Sequence, residues 1–132
     1  MIVVDSSVWI DYLRDHETWQ VLMLRQLLRG ETSGPILIGD IVMYEVLAGL
    51  RSAVPAREIR ERLQTLLLVS MVDLDLVARA VAHCHTLPGR GITPGTVDMI
   101  IGTWCIETGA ELLTADRDFE PQRDHLGLSL VA

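Results

Sequence analysis

The sequence predicts an α/β fold, a sandwich of helices around a mostly parallel sheet. Three observations predict it. Short aliphatic or β-branched runs alternate with longer helical patterns from Ile2 to Val131, and that alternation is the signature of layered α/β architecture. Hydrophobic residues make up 49% of the chain but aromatics only 5%, so the core must be built from Leu, Val, Ile, Ala and Met. The 132 residues contain no internal repeat, long linker or low-complexity segment, so residues 1–132 read as one domain.

Each element follows in order. Ile2-Val3-Val4 is a buried strand by its β-branched content. Asp5-Ser6-Ser7 supplies helix-capping chemistry, and a helix carries Val8, Trp9, Tyr12 and Leu13. A second helix with Leu22, Leu24, Leu27 and Leu28 ends at Gly30. Pro35 opens the strand Ile36-Leu37-Ile38, and Gly39-Asp40 starts a helix that ends near Gly49. A polar joint, Ser52 to Pro55, leads into the Arg- and Glu-rich helix Ala56–Leu66, then a short strand Leu67-Leu68-Val69. Asp73–His85 is helical, with Leu76, Val77, Ala80, Val81 and Cys84 on one face. The glycine-containing loop 87–95 precedes an apolar helix from Thr96 to about Thr108, stopped by Gly109. Glu111–Thr114 and Leu128–Val131 are the last two strands.

Bulk properties exclude several classes. No apolar run approaches the roughly 18–20 residues of a membrane span, and the start Met1-Ile2-Val3-Val4-Asp5 lacks the pattern of a signal peptide. The expectation is a cytoplasmic protein without a membrane partner. Cys84 and Cys105 form no CxxC and read as reduced core thiols. Net charge is −7, and all 11 basic residues are arginine. Without lysine, a receiver-type phosphoacceptor pocket falls away, and Asp5-Ser6-Ser7 is not the Asp-x-Asp of an aspartyl phosphatase. The acidity also counts against nucleic-acid binding, which normally needs a basic surface.

Ligand sites of open α/β sheets lie beyond the carboxyl ends of the strands. Asp5 follows the first strand, Asp40 and then Glu45 follow the second, and Asp116 follows the strand ending at Thr114. Asp98 stands in the first turn of the apolar helix. Each has a structural explanation: Asp5 and Asp40 as caps, Asp98 as a dipole partner, Asp116 and Asp118 as turn residues. Glu45 is harder to explain, standing among Val42, Tyr44, Val46 and Leu47. Carboxylates that converge repel one another and are costly to ionise unless a cation sits between them. All-oxygen ligation suits Mg2+ or Mn2+, and such a site fits phosphodiester chemistry.

Four stretches carry a family resemblance: Val3-Val4-Asp5-Ser6-Ser7-Val8-Trp9-Ile10-Asp11-Tyr12-Leu13, Tyr44-Glu45-Val46-Leu47-Ala48-Gly49, Ile92 to Gly102, and Leu112-Leu113-Thr114-Ala115-Asp116-Arg117-Asp118-Phe119. In this order and spacing the chain resembles a PIN-domain protein, specifically a VapC-type ribonuclease toxin of a toxin–antitoxin system. The resemblance implies a PIN-like (Rossmann-like) α/β/α sandwich and a Mg2+-dependent endoribonuclease, with Mn2+ able to substitute. It implies that Asp5, Glu45, Asp98 and Asp116 form the catalytic metal site. Ser7 and Thr114 would support it by hydrogen bonding, with Asp118 as an auxiliary or water-mediated contact. It implies an RNA substrate, a cognate antitoxin that covers the site, and a homodimer. A non-catalytic PIN-fold binding module and a DNA-directed nuclease of the same fold stand as alternatives.

Bound metal would reverse the local field and so answer the charge objection. Arg79, Arg90 and Arg117 are candidate phosphate contacts, and Gly89, Gly91 and Gly95 would permit close backbone approach. His83-Cys84-His85 is set aside as a zinc site, because helical neighbours point about 100° apart. Trp9 and Trp19 read as core residues, with an antitoxin groove as the other possibility.

Overall fold

Four short strands build one sheet in the computed structural model, which describes residues 1–31, 34–50, 55–88 and 94–132. They are β1 (Ile2–Val4), β2 (Ile36–Gly39), β3 (Leu67–Val69) and β4 (Glu111–Leu113), arranged β3–β2–β1–β4. All three pairings are parallel: Ile2 pairs with Ile36 and Glu111, and Leu37 pairs with Leu67. β1 is central and buried along its whole length, as expected for a parallel strand covered on both faces. β3 is the edge, and Leu67 and Leu68 there are exposed.

The helices are α1 (Ser6–Leu13), α2 (Trp19–Leu28), α3 (Asp40–Leu50), α4 (Ala56–Leu63), α5 (Leu74–Thr86), α6 (Thr96–Thr108) and α7 (Glu120–Leu126). A 3-10 turn, Arg117–Phe119, precedes α7. The chain steps outward from β1 through β2 to β3, then crosses back to lay β4 on the far side of β1. Right-handed crossovers put helices from the two legs on opposite faces of the sheet. Accordingly α1 packs on α2 and α3, and α3 on α4, while α5 packs on α6 and α7. The predicted α/β/α sandwich around a parallel sheet is the observed fold.

Local chemistry explains the element ends. Thr18 Oγ1 accepts the Val21 N–H at 3.1 Å, and Asp73 accepts the Leu76 N–H at 2.7 Å. Asp40 is confirmed as a structural acid: its Oδ1 accepts the N–H groups of Ile41 (2.8 Å) and Met71 (3.2 Å). Phe119, Leu24, Leu37, Ile38, Ile101, Leu112 and Leu113 are among the buried core residues, which are chiefly aliphatic.

Three expectations need correction. The final strand Leu128–Val131 shrinks to a single rung at Leu130. β4 has three residues, and the backbones of Glu111 and Leu113 face β1 through bonds to Met1 and Asp5. Only Leu112 faces outward, accepting from Val131 N–H and donating to Ser129 O, each at 2.9 Å. Of the two presumed core tryptophans, Trp9 is buried but Trp19 is half exposed, because it opens α2 at the sheet's rim. Of the two thiols, Cys105 is buried and Cys84 only partly so; both are free. The polar joint at Ser52–Val54 and the loop residues Gly89, Arg90 and Gly91 lie outside the described residues.

Candidate active site

The chain's progression across the sheet reverses at β1, which puts the switch point between β1 and β4, and crevices at such switch points are where open α/β sheets bind ligands. Asp5 leaves the end of β1, and Thr114 to Asp118 leave the end of β4. Asp5 holds the N-cap position of α1, yet its side chain makes no capping bond. Its Oδ2 instead accepts from Ser7 Oγ at 2.7 Å and Thr114 Oγ1 at 2.9 Å. Ser7 Oγ in turn accepts the Ala115 N–H at 3.1 Å, and Thr114 Oγ1 the Asp116 N–H at 3.0 Å. Two hydroxyls therefore stitch the β1 end to the β4 end through a carboxylate that is only 3% exposed.

The other acids arrive from three directions. α3 brings Glu45, whose Oε1 accepts from Ser6 Oγ at 3.1 Å. α6 brings Asp98 in its first turn, half-buried. Asp116 caps the 3-10 turn by accepting the Asp118 N–H at 2.9 Å. Carboxylate oxygens of Asp98, Asp116 and Asp118 all lie within 4.8 Å of one another. Gly95 leaves room here, since a Cβ on it would stand 3.3 Å from an Asp98 oxygen.

These groups feel one another's charge. Burial pushes the Asp98 carboxyl up to about 7, helped by Asp5, then Asp116, Glu45 and Asp118. Burial raises Glu45, the Ser6 hydroxyl opposes the shift, and the charges of Asp5 and Asp116 add to it. Burial also raises Asp5, against the pull of the Ser7 and Thr114 hydroxyls. A cation placed among these carboxylates would offset their mutual repulsion. Asp98, Asp116 and Asp118 each offer an oxygen to that space, the chemistry a hard divalent ion takes.

The structure thus brings Asp5, Glu45, Asp98 and Asp116 to one rim, with Ser7 and Thr114 behind Asp5. Asp118, expected as an auxiliary, stands in the tight trio with Asp98 and Asp116. Arg117 lies between Asp116 and Asp118 in sequence, exposed, 3.4 Å from Glu120. Arg79 is not brought to the rim: its guanidinium pairs with Glu107 at 2.7 Å, nine residues along α6 from Asp98 and so about 13 Å away along the axis. Arg90 falls outside the described residues. His83 bonds Thr103 Oγ1 at 3.1 Å and serves the α5–α6 contact.

Two supporting residues escaped the sequence reading. Ser6 reads in sequence only as part of a cap, although its place beside Asp5 at a strand end is a usable signal for its bond to Glu45. Gln122 carries no sequence signal, being one polar residue on a short helix. It is 1% exposed, and its Nε2 donates to the Asp98 carbonyl at 3.1 Å.

The PIN domain family model matches residues 2–122. Solved structures agree in fold. VapBC2 from Rickettsia felis, bound to a DNA fragment from its promoter, superposes with a TM-score of 0.74 at 18% identity, covering 99% of this chain and 98% of that one. FitAcB from Neisseria gonorrhoeae gives 0.74 at 16% identity, with 100% and 97% covered. VapC20 from Mycobacterium tuberculosis, a sarcin–ricin loop cleaving toxin, gives 0.67 at 17% identity, with 91% and 93% covered. The acids at the ends of β1 and β4, the parallel sheet and the family match converge: this chain belongs to the PIN domain family.

Proposed function

We propose that the chain is a metal-dependent endoribonuclease and the toxin of a type II toxin–antitoxin pair. One observation carries the reading most: Asp98, Asp116 and Asp118 present carboxylate oxygens within 4.8 Å of one another, in a pocket where burial first and then the neighbouring acids push Asp98 up to about 7. The fold shared with VapBC2 and with VapC20, a sarcin–ricin loop cleaving toxin, supports this reading.

Asp5, Glu45, Asp98 and Asp116 are assigned as the ion-holding set, with Asp118 available as a further oxygen. When bound, Mg2+ or Mn2+ supplies an activated water and offsets the charge of the scissile phosphodiester. The chain's own part is positioning. Ser7 and Thr114 fix the buried Asp5 carboxylate in one orientation, Ser6 does the same for Glu45, and the backbone of Asp118 holds Asp116. Arg117 is the described arginine nearest the site in sequence and is assigned to phosphate. An antitoxin and a second copy of the chain are assigned as partners. An open apolar groove lined by Trp9, Tyr12, Leu13, Leu28, Ile59 and Leu63 offers burial to an antitoxin segment.

The test is cleavage of structured RNA by purified protein in Mg2+, in Mn2+ and in chelator. Cleavage in either metal and none in chelator is expected, with Asp5→Asn and Asp98→Asn inactive but folded. Equal cleavage in chelator rejects the metal mechanism. Cleavage of DNA but not RNA reassigns the substrate.

A further inference from the structure

Trp19 stands at the start of α2 with its indole only half covered. It is 50% exposed in a protein where Trp9 is buried and Trp104 half-buried. An isolated exposed apolar side chain is ordinary, so exposure alone says little. Position says more. Trp19 lines a cleft whose other walls include Thr114, Asp116, Arg117 and Arg123. That cleft therefore shares Asp116 with the carboxylate rim.

The start of α2 is anchored there. Gln20 Nε2 donates to the Thr114 carbonyl at 3.5 Å, tying α2 to the end of β4. Thr18 caps the helix, and Glu17 pairs with Arg25 at 2.6 Å. The indole next to these anchors is consequently presented from a fixed backbone. The two arginines of the cleft are held only by exposed partners, Arg117 by Glu120 and Arg123 by Asp124. Exposed pairs of this kind are worth little, so either guanidinium can turn to a phosphate at small cost.

A half-exposed indole, two available guanidiniums and Asp116 of the acid cluster together suit an unstacked nucleotide. The aromatic takes a base by stacking and the cations take the backbone. We infer that Trp19 is a stacking platform for a nucleobase of single-stranded RNA flanking the scissile phosphate, with Arg117 and Arg123 on the adjoining phosphates. This rests on the ribonuclease reading and extends it to a named subsite. RNA is favoured over an antitoxin segment because Asp116 and Thr114 share the cleft with Trp19.

Steady-state cleavage of a single-stranded RNA is compared for wild type, Trp19→Ala and Trp19→Phe, with abasic replacements at each nucleotide flanking the cut. Loss of one stacked base costs about tenfold in affinity. Trp19→Ala should therefore raise KM about tenfold with kcat little changed, and Trp19→Phe should restore most of it. One abasic position should reproduce the loss in wild type and add nothing in Trp19→Ala. An unchanged KM overturns the subsite, as does equal sensitivity of both proteins at every abasic position. Loss of antitoxin binding with unchanged RNA kinetics also overturns it and gives the cleft to protein. Should wild type cleave no RNA, the ribonuclease reading fails by itself. The anisotropy of the same labelled RNA in Ca2+ then decides the platform: about tenfold weaker binding by Trp19→Ala keeps it, and equal binding removes it.

Discussion

Asp98 shows most directly how the site is held under electrostatic load. Its carboxyl is raised to about 7 from an ordinary 3.8, by burial first and then by four neighbouring acids. A raised carboxyl binds its proton more tightly in the folded protein than in the unfolded one. Stability from this group is therefore full near pH 4 and falls as pH rises towards 7, levelling above that. Asp5 and Glu45 are raised too and add in the same direction. The metal-free protein should lose melting temperature between pH 4 and 7, and Asp98→Asn should flatten that slope. Mn2+ should stabilise more at pH 8 than at pH 5, where protons compete for the oxygens. Thermal melts of both proteins across that range check this, and identical slopes would refute it. At this scale the sequence was informative about residue type and less so about role. Locally, Asp5 reads as a cap or a ligand, and Asp118 as a turn residue or an auxiliary. The contacts that bear on those roles, Thr114 to Asp5 and the Asp118 oxygen within 4.8 Å of Asp98, join segments far apart in the chain.

Elements hold the acids at their spacing. α7 lies against α6 where Gly102 faces Gln122, and a Cβ on Gly102 would overlap the Gln122 amide oxygen. The same amide donates to the Asp98 carbonyl, so this contact ties the segment bearing Asp116 and Asp118 to the helix bearing Asp98. Gly102→Ala gains about 1 kcal/mol of helix propensity but must expel a buried side chain, and overpacking costs about 1–3 kcal/mol. The expected result is no net stabilisation in urea melts, with weaker Mn2+ binding by titration calorimetry. A more stable variant with unchanged Mn2+ affinity would show that the contact does not set the spacing. The order of helices and strands was legible because aliphatic runs and helical periodicity alternate cleanly. The last strand was misread because sequence shows an apolar run but not how many backbone groups its neighbour leaves facing outward. The close fit of Gly102 to Gln122 could not be read at all, since it depends on interhelical distance.

For the whole molecule, the unfinished surface lies on α5. Leu76 and Ala80 are buried against α6, while Leu74, Val77 and Val81 remain 87%, 41% and 49% exposed. Their spacing puts all three on one side of the helix. The apolar face seen in sequence is therefore wider than the fold's own contacts require. The proposed homodimer should use this stripe: sedimentation should find a dimer, and Leu74→Glu with Val81→Glu should give a folded monomer. A double variant that still sediments as a dimer would move the interface elsewhere. Sandwich architecture and the rim that gathers the candidate acids were both legible at this scale, because strand ends and acids coincide along the chain; the apolar face left open on α5 was not, since it depends on which side α6 covers.

The hydroxyl bond between Thr114 and Asp5 spans 109 residues, and it has a consequence for the protein during its own synthesis. The acids stand together only after β4 has docked beside β1, the last strand to emerge against the first. A chain still being translated, or cut short before β4, holds Asp5 and Glu45 but cannot bring Asp116 to them. The proposed nuclease is thus inert until β4 has been made, and its chemistry begins only when β1 and β4 have met.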